Sequence, residues 1–355
     1  SDKLFGAHVY AEKWAELKAS NPSLRIRNAA EELGVTEVEL LATKCGEEVS
    51  RLRPEFANIL AEVEKLGKVM ALTRNNEVVH ERKGTYLNPE LKNPHVGLFV
   101  GEDIDLRIFF ANWASVYAVQ EESRGKIRKS IQFFAKDGEA VHKIYLVADS
   151  NEEVYDQLVK DYLHMDQSPE QTVEASTPKE VEKADTEIDV QGFQESWIKL
   201  QDTHHFFGML KKYGVTRTQA LRLAPEGNYA VKVDNKALRN IITSAAEDQT
   251  PIMVFVGNQG MIQIHTGPVK KLLDHNEWFN IMDPDFNLHI KEPAIAESWI
   301  VRKPSEDGVV TALECFNSEG EQIVQLFGKR KPGIPELESW RSIVAKVEEN
   351  SILVS

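Results

Sequence analysis

The chain has 355 residues, 42% of them hydrophobic, a length that suits two domains with cores of their own. Its formal net charge of −14 argues against a general nucleic-acid binder, and it has no run of about 18 apolar residues to span a bilayer. Because its two cysteines, Cys45 and Cys315, lie far apart without metal-type spacing, we expect a reducing compartment and neither a disulfide scaffold nor a zinc site.

The first stretch, SDKLFGAHVYAEKW, has no charged-then-apolar leader, so we expect a secretory signal to be absent or already removed. Three helices are predicted next. One surrounds Trp14 and ends before Pro22, and one covers LRIRNAAEEL and ends at Gly34. The third opens at Thr36, and Glu39 stands three residues on, which is the spacing of a capping box.

Runs typical of β-strands follow: KVMALTRNNEVVHERKGTY, VGLFVG, DLRIFF and SIQFFAKDGEAVHKIYLV. The turn signals NN and DG separate their apolar stretches, which predicts antiparallel hairpins. In DLRIFF, Arg107 alternates with Leu106 and Ile108. We therefore expect Arg107 on the opposite face of that strand from these two apolar residues.

Residues 165–187, MDQSPEQTVEASTPKEVEKADTE, are rich in Glu, Ser, Thr, Lys and Pro and almost free of large apolar residues. Such a segment buries too little apolar surface to offset the entropy lost on ordering. We expect a flexible acidic linker here, between an N-terminal repeat (1–164) and a C-terminal repeat (188–355).

The second half repeats the first in the same order. ESWIKL (195–200) corresponds to EKWAEL (12–17), KKYGVTRTQALRLA (211–224) to EELGVTEVELLA (31–42), and CFNSEGEQIVQLFG (315–328) to FFAKDGEAVHKIYLV (133–147). The capping box recurs as Thr216 with Gln219. The predicted fold class is therefore α+β, a tandem structural repeat in which each copy has a helical N-terminal part followed by a large antiparallel β-sheet.

Two adjacent histidines, His204 and His205, stand inside the otherwise apolar stretch KLQDTHHFFGML. A break at Asp202, a good N-cap, places them in the first turn of a new helix. The predicted apolar face of that helix contains Phe206, Phe207, Met209, Leu210 and Tyr213, and at about 100° per residue the two histidines lie beside it.

The two copies differ where the histidines occur. With an offset of 180 positions, His204 and His205 replace Leu24 and Arg25, and Arg217 replaces Glu37. This asymmetry predicts one specialised site, in the second copy.

A histidine pair at a helix start is most often a surface or capping feature. The alternative is a metal ligand, because neutral imidazole is the commonest one among side chains. A lone histidine without clustered Cys, Asp or Glu suits haem, which brings four ligands of its own. Haem propionates also need cations, and SWIVRKP and FGKRKPG supply them. Solvated strand ends are the alternative for these basic stretches.

Three stretches and the duplication itself resemble the HemS-like family of cytoplasmic hemin-transport or hemin-degrading proteins of Gram-negative bacteria. The stretches are WIKLQDTHHFFGMLKKYGVTRTQALRLA, GEDIDLRIFFANW and SWIVRKPSEDGVVTALECFNSEGEQIVQLFGKRKPG. The likeness covers nearly the whole chain except the linker. It implies a cytoplasmic protein that holds haem b, as substrate or cargo and with no other metal, in the C-terminal repeat, while the N-terminal repeat closes over the pocket.

The resemblance also implies roles for individual residues. His204 is the axial ligand of the haem iron, and His205 is an alternative ligand during transfer. Arg107 is the catalytic residue on the opposite, distal face, acting through a bound water, with Phe109 packing nearby. His80 belongs to a secondary N-terminal haem site. Four further residues hold the propionates or border the pocket: Arg217, Lys303, Gln325 and Arg330.

Two functions are compatible with this resemblance. The protein receives imported haem and degrades it oxidatively to release iron, or it is a haem chaperone or storage protein that passes haem to a separate haem oxygenase. Implied partners are an inner-membrane haem importer, the oxygenase or an electron-donating reductase, and the chain is a monomer or a homodimer. Because no Rossmann or flavin motif is evident, electrons would come from outside. A duplicated scaffold for another partner is a third alternative.

Overall fold

The computed structural model describes residues 3–351 as helices and antiparallel strands. The first half contains α1 (Ala7–Ser20), α2 (Ile26–Leu33), α3 (Glu37–Ala42), β1 (Val49–Leu52), α4 (Phe56–Glu62), β2 (Val69–Arg74), β3 (Val78–Gly84), β4 (Pro89–Glu90), β5 (Val96–Val100), β6 (Asp105–Phe109), β7 (Trp113–Ser123), β8 (Lys126–Ala135), β9 (Ala140–Leu146) and α5 (Glu152–Tyr162).

The second half contains α6 (Val190–Ile198), α7 (His205–Tyr213), α8 (Arg217–Arg222), β10 (Ala230–Val233), α9 (Ala237–Asp248), β11 (Ile252–Gly257), β12 (Met261–Gly267), β13 (Leu272–His275), β14 (Trp278–Met282), β15 (Phe286–Lys291), β16 (Glu297–Lys303), β17 (Val310–Phe316), β18 (Gln322–Gly328) and α10 (Glu338–Ser351).

The strands of the two halves pair in the same pattern. In the first half, β1, β7, β8, β9 and β2 are antiparallel neighbours in that order, and β4, β5 and β6 form a second run. In the second half, β10, β16, β17, β18 and β11 repeat the first order, and β13, β14 and β15 repeat the second. The α+β class and the tandem repeat predicted from the sequence are confirmed.

The chain divides into two compact units. The N-terminal unit contains the described residues through Arg74, together with Glu81–Pro178 and Asn258–Gln263. The C-terminal unit contains Asn75–His80, Lys179–Gly257 and the described residues from Ile264 onward. Each unit therefore includes a six-residue segment from the other half of the sequence.

The helices α3 and α8, which correspond in the two copies, begin with the same capping motif. Thr36 and Glu39 form a reciprocal capping box at the start of α3, and Thr216 and Gln219 form one at the start of α8. The helix before each box ends at a glycine in the left-handed region, with φ of 71° at Gly34 and 68° at Gly214. These short polar signals fix the start of α8 and, with it, the position of Arg217, the first residue of that helix.

Residues 165–187 contain no α-helix or strand, and a single 3-10 turn spans Asp185–Glu187. In the N-terminal unit, Arg51 donates hydrogen bonds to three backbone carbonyls near the start of this segment, those of Asp166, Ser168 and Glu170. In the C-terminal unit, Glu182 accepts hydrogen bonds from Thr216 and Arg222. These bonds restrict the flexibility that the composition of the segment predicts.

A compact aromatic core underlies α6, α7 and α8 in the C-terminal unit. Trp197 and Phe206 are buried with ring centroids 4.8 Å apart in an edge-to-face arrangement, and the Phe193 ring also packs edge-to-face against Trp197. The Trp197 indole N–H donates to the carbonyl of Arg302 on β16. The start of α7 is thereby fixed against the sheet. None of the helices in residues 3–351 combines the length and apolar composition of a membrane-spanning segment.

Candidate functional site

The histidine pair lies at a break between two helices, as the sequence predicts. The helix α6 ends at Ile198 and α7 begins at His205, with His204 as its N-cap. The helix α7 therefore begins two residues later than it would with Asp202 as its N-cap. A turn precedes the helix: the His205 N–H donates to the Asp202 carbonyl at 3.0 Å, and the Phe206 N–H donates to the Thr203 carbonyl at 3.2 Å.

The imidazole of His204 is on the surface and is held at one nitrogen. Its side chain is 89% exposed, and Nδ1 lies 2.8 Å from Oδ1 of Asp202, which also accepts the backbone N–H of His204 at 2.9 Å. These bonds from His204 lower the pKa of Asp202. A carboxylate on Nδ1 leaves Nε2 as the ligand nitrogen and is the usual second partner of a metal-binding histidine.

The buried face of α7 is narrower than predicted. Phe206, Met209 and Leu210 are buried, but Phe207 is 61% exposed, and its assignment to the apolar core face was wrong. Phe207 points away because it lies about 100° around the helix from Phe206, beyond the edge of the packed face. The amine of Lys211 lies 5.0 Å from its ring centroid. His204, His205 and Phe207 therefore form an exposed, partly aromatic surface.

Beneath α7, two of the predicted cations meet on a carboxylate that the sequence reasoning missed. Glu314 on β17 is fully buried. Its Oε1 accepts hydrogen bonds from Arg217 Nε at 3.0 Å and from Gln322 Nε2 at 2.9 Å, and its Oε2 lies 3.5 Å from Lys303 Nζ. Gln325 stands directly opposite Glu314 in the β17–β18 ladder, on the same face.

Electrostatics at this cluster follow from burial and from the excess of cations. Burial alone would raise the pKa of Glu314, but the charges of Arg217 and Lys303 lower it below its ordinary value. Burial lowers the pKa of Lys303 to about 8, against the opposing effect of Glu314. With two cations and one anion, the cluster keeps a net positive charge, and Arg217 is its partly exposed member, with 22% of its side chain accessible.

Phe206 connects this charged cluster to the histidine pair. The Lys303 amine lies 4.2 Å from the centroid of the Phe206 ring, and the Arg217 guanidinium lies 5.3 Å from it. Phe206 follows His205 directly in the chain. The predicted ligand and two of the predicted cations, Arg217 and Lys303, are therefore brought to one part of the C-terminal unit.

Arg330 lies in the segment after β18, partly exposed, and within residues 3–351 no ion pair engages it. Its neighbours Lys329 and Lys331 are exposed. A guanidinium without a counter-charge is a suitable group for binding a carboxylate in a bidentate manner.

The corresponding place in the N-terminal unit has the opposite polarity. Glu37, the first residue of α3, receives a hydrogen bond from Lys143 on β9 at 2.6 Å, and both side chains are largely buried. By the sequence repeat, Glu37 corresponds to Arg217 and Lys143 to Gln325. The helix start is thus anionic in one repeat and cationic in the other, and the cluster of two cations and one anion belongs to the C-terminal repeat.

Arg107 lies on β6 of the N-terminal unit, with Leu106 and Ile108 buried on the other face as the alternation predicts. Its Nη1 atom lies 2.6 Å from Asp105 Oδ1, and 36% of its side chain is exposed. Burial raises the pKa of Asp105, an effect that the Arg107 charge opposes. Phe109 is half-buried on the same face as Arg107.

His80 is placed differently from a surface ligand. It is fully buried in the C-terminal unit, where Nε2 lies 3.3 Å from the carbonyl of Val254 and its ring lies 5.0 Å from that of Phe286. An iron could reach this imidazole only if the surrounding core opened. The structure therefore gives no support to a secondary haem site at His80.

Comparison with known proteins places this arrangement in context. The haemin-degrading HemS.ChuX domain family matches residues 34–162 and 214–347, once in each repeat. The hemin transport protein HmuS of Yersinia pestis is 39% identical over 342 residues, 96% of this chain and 98% of that protein.

Solved structures agree closely with the fold. The haem-bound form of PhuS, a haem-binding protein from Pseudomonas aeruginosa, is 45% identical and superposes with a TM-score of 0.94 over 97% of this chain and 99% of its own. The haem-degrading enzyme ChuS of Escherichia coli O157:H7 is 36% identical, with a TM-score of 0.89 over 96% of this chain and 99% of its own.

Proposed function

Since this chain belongs to the haemin-degrading HemS.ChuX domain family, we propose that it is a cytoplasmic haem-binding protein that receives imported haem and degrades it oxidatively to release iron. The observation that carries the proposal is the exposed His204 imidazole, whose Nδ1 is bonded to Asp202, next to a cluster with excess positive charge. A histidine ligand and cations for two carboxylates are what haem recognition needs.

The chain's own residues have distinct tasks in this proposal. His204 binds the iron through Nε2, and Asp202 fixes the ring orientation and the tautomer. Arg330 and Arg217 bind the propionates. Glu314 holds Arg217 in place, and Lys303 and Gln325 lie beside Glu314. Arg107 is the proposed catalytic residue, with Phe109 beside it on the same face of β6. Haem supplies the iron and the ring that is opened, and an external donor supplies the electrons.

A second function, a haem chaperone or storage protein that passes haem to a separate oxygenase, is favoured by one observation. His204 and His205 are adjacent and both exposed, so a ligand exchange between them needs no opening of the core. Relatives carry both descriptions, since HmuS is a hemin transport protein and ChuS a haem-degrading enzyme. The proposed partners are an inner-membrane haem importer and either a reductase or an oxygenase, with the chain a monomer or a homodimer.

Hemin titration tests binding and ligand assignment together. We expect the wild-type chain to give a near-stoichiometric complex with a sharp Soret band. His204→Ala should change that spectrum strongly and His205→Ala weakly, while His275→Ala, an exposed histidine elsewhere in the same unit, should leave it unchanged. The absence of a complex with the wild-type chain would refute both functions. An unchanged spectrum in both pair variants would refute the ligand assignment.

A turnover assay separates the two functions. The complex is incubated with ascorbate, or with NADPH and a reductase, with catalase present to remove free peroxide. Loss of the Soret band with release of iron and a defined tetrapyrrole product supports degradation, and Arg107→Leu should then slow it without weakening binding equally. A complex that stays intact and transfers its haem to an added oxygenase supports the chaperone function instead.

A further inference from the structure

A glycine in the middle of α7 has no role within the fold. Gly208 is the fourth of nine residues in this helix, and it is exposed. It does not adopt the left-handed conformation that favours glycine. A Cβ added there would meet no atom within 4 Å in the described part of the chain. Neither backbone geometry nor internal packing therefore requires glycine at this position.

Glycine at an exposed helix interior weakens the helix relative to alanine, because the unfolded chain gains freedom and no side chain is there to pack. The corresponding residue of the N-terminal repeat, by the 180-position offset, is Asn28 in the helix α2, which is also exposed. The first repeat thus carries a side chain where the second has none. The difference coincides with the difference between Leu24 and His204.

The position of Gly208 relates it directly to the proposed iron ligand. Gly208 follows His204 by four residues, so the two lie about 6 Å apart along the helix and about 40° apart around it. Phe207, 61% exposed, flanks the glycine, and the Lys211 amine lies over the Phe207 ring. Along this face the helix presents an imidazole at His204, then the Phe207 ring beside the bare backbone of Gly208, and then the Lys211 cation.

We propose that Gly208 is a specificity-determining residue: its missing side chain lets a planar tetrapyrrole lie against the backbone of α7 while His204 binds the metal at its centre. A macrocycle extends several ångströms in its plane from the metal, so a residue one helical turn from the ligand lies under or beside the ring edge. A Cβ there would keep the ring away from the helix or tilt it from the His204 Nε2 direction. The proposal rests on the haem-binding function proposed above.

The test compares Gly208→Ala and Gly208→Leu with the matched control Asn28→Ala. We expect Gly208→Ala to raise the urea midpoint of unfolding and yet to weaken hemin binding by about tenfold, with a shifted Soret band, and Gly208→Leu to weaken binding by about a hundredfold. Asn28→Ala should also stabilise its helix but leave the hemin affinity unchanged.

The outcomes are distinct. Hemin affinity of Gly208→Ala within twofold of the wild type would overturn the assignment while leaving the proposed function intact. A lower urea midpoint for Gly208→Ala would assign the glycine to the fold and likewise overturn it. If the wild-type chain itself binds no hemin, the proposed function fails, and the role of Gly208 fails with it.

Discussion

Glu314→Gln is the substitution that most directly tests the charge balance beneath α7. Glutamine keeps the shape and one acceptor oxygen of Glu314 but removes the charge that Arg217 and Lys303 face. At an effective dielectric constant of about 20, an ion pair at 2.9 Å is worth roughly 6 kcal/mol and one at 3.5 Å roughly 5 kcal/mol before desolvation is counted. Desolvation of the carboxylate offsets much of this attraction.

The net effect is smaller and can be bounded. Removing one partner of a buried pair costs about 3–5 kcal/mol, since the remaining charge stays buried without compensation. Lys303 limits this loss: its pKa of about 8 is near neutrality, so at pH 7 it can give up its proton for about 1.4 kcal/mol per pH unit. Arg217 is partly exposed and reaches water. We therefore expect Glu314→Gln to lower the free energy of unfolding by about 3 kcal/mol at pH 7.

Urea unfolding followed by circular dichroism measures the change, with Glu338→Gln as the control. Glu338 is 87% exposed, so that variant should stay within about 0.5 kcal/mol of the wild type. The deficit of Glu314→Gln should be larger at pH 6 than at pH 9, because at pH 9 Lys303 is largely neutral in both proteins. A Glu314→Gln variant as stable as Glu338→Gln at pH 6 would refute the reasoning.

Three further predictions concern single side chains. Lys303→Met should flatten the pH dependence of stability. In the wild type, the pKa of Lys303 is about 8 in the folded chain and 10.5 in the unfolded chain, so the unfolded chain binds more protons between these pH values. Wild-type stability therefore rises over this range, by up to about 3 kcal/mol. Urea midpoints at pH 7.5 and 10 that change equally in both proteins would contradict this. Asp202→Ala should weaken hemin binding by about 10–100-fold in spectroscopic titration, and Asp202→Asn, which keeps an acceptor oxygen, much less. Arg51→Ala should expose residues 166–170 to limited proteolysis, because three carbonyls there lose their donor, whereas Arg53→Ala should leave their cleavage rate unchanged.

The repeat was predictable because local signals carry it. Capping boxes, helix-ending glycines and strand alternation are read within a few residues, and the structure confirms them at Thr36, Thr216 and Arg107. A break before His205 was also predictable, since one continuous helix would scatter its apolar residues. The exact position of that break was less predictable, because the turn at Asp202 depends on hydrogen bonds that no residue pattern specifies.

Glu314 was missed because its importance is non-local. In ALECF it is a single charged residue inside an apolar strand, and that was the available signal, since such a residue is buried only with partners. Its partners come from three different elements, α8, β16 and β18, and Arg217 on α8 is 97 residues away in sequence. Phe207 was misassigned because its apolar side chain predicts burial. Its exposure is set instead by its position around the helix, outside the packed face.

The reversed polarity of the two helix starts means that α3 and α8 are not interchangeable between the repeats. Moving α3 into the second repeat would bring Glu37 against Glu314, and moving α8 into the first would bring Arg217 against Lys143. Each exchange would bury like charges, so each helix start fits only its own repeat.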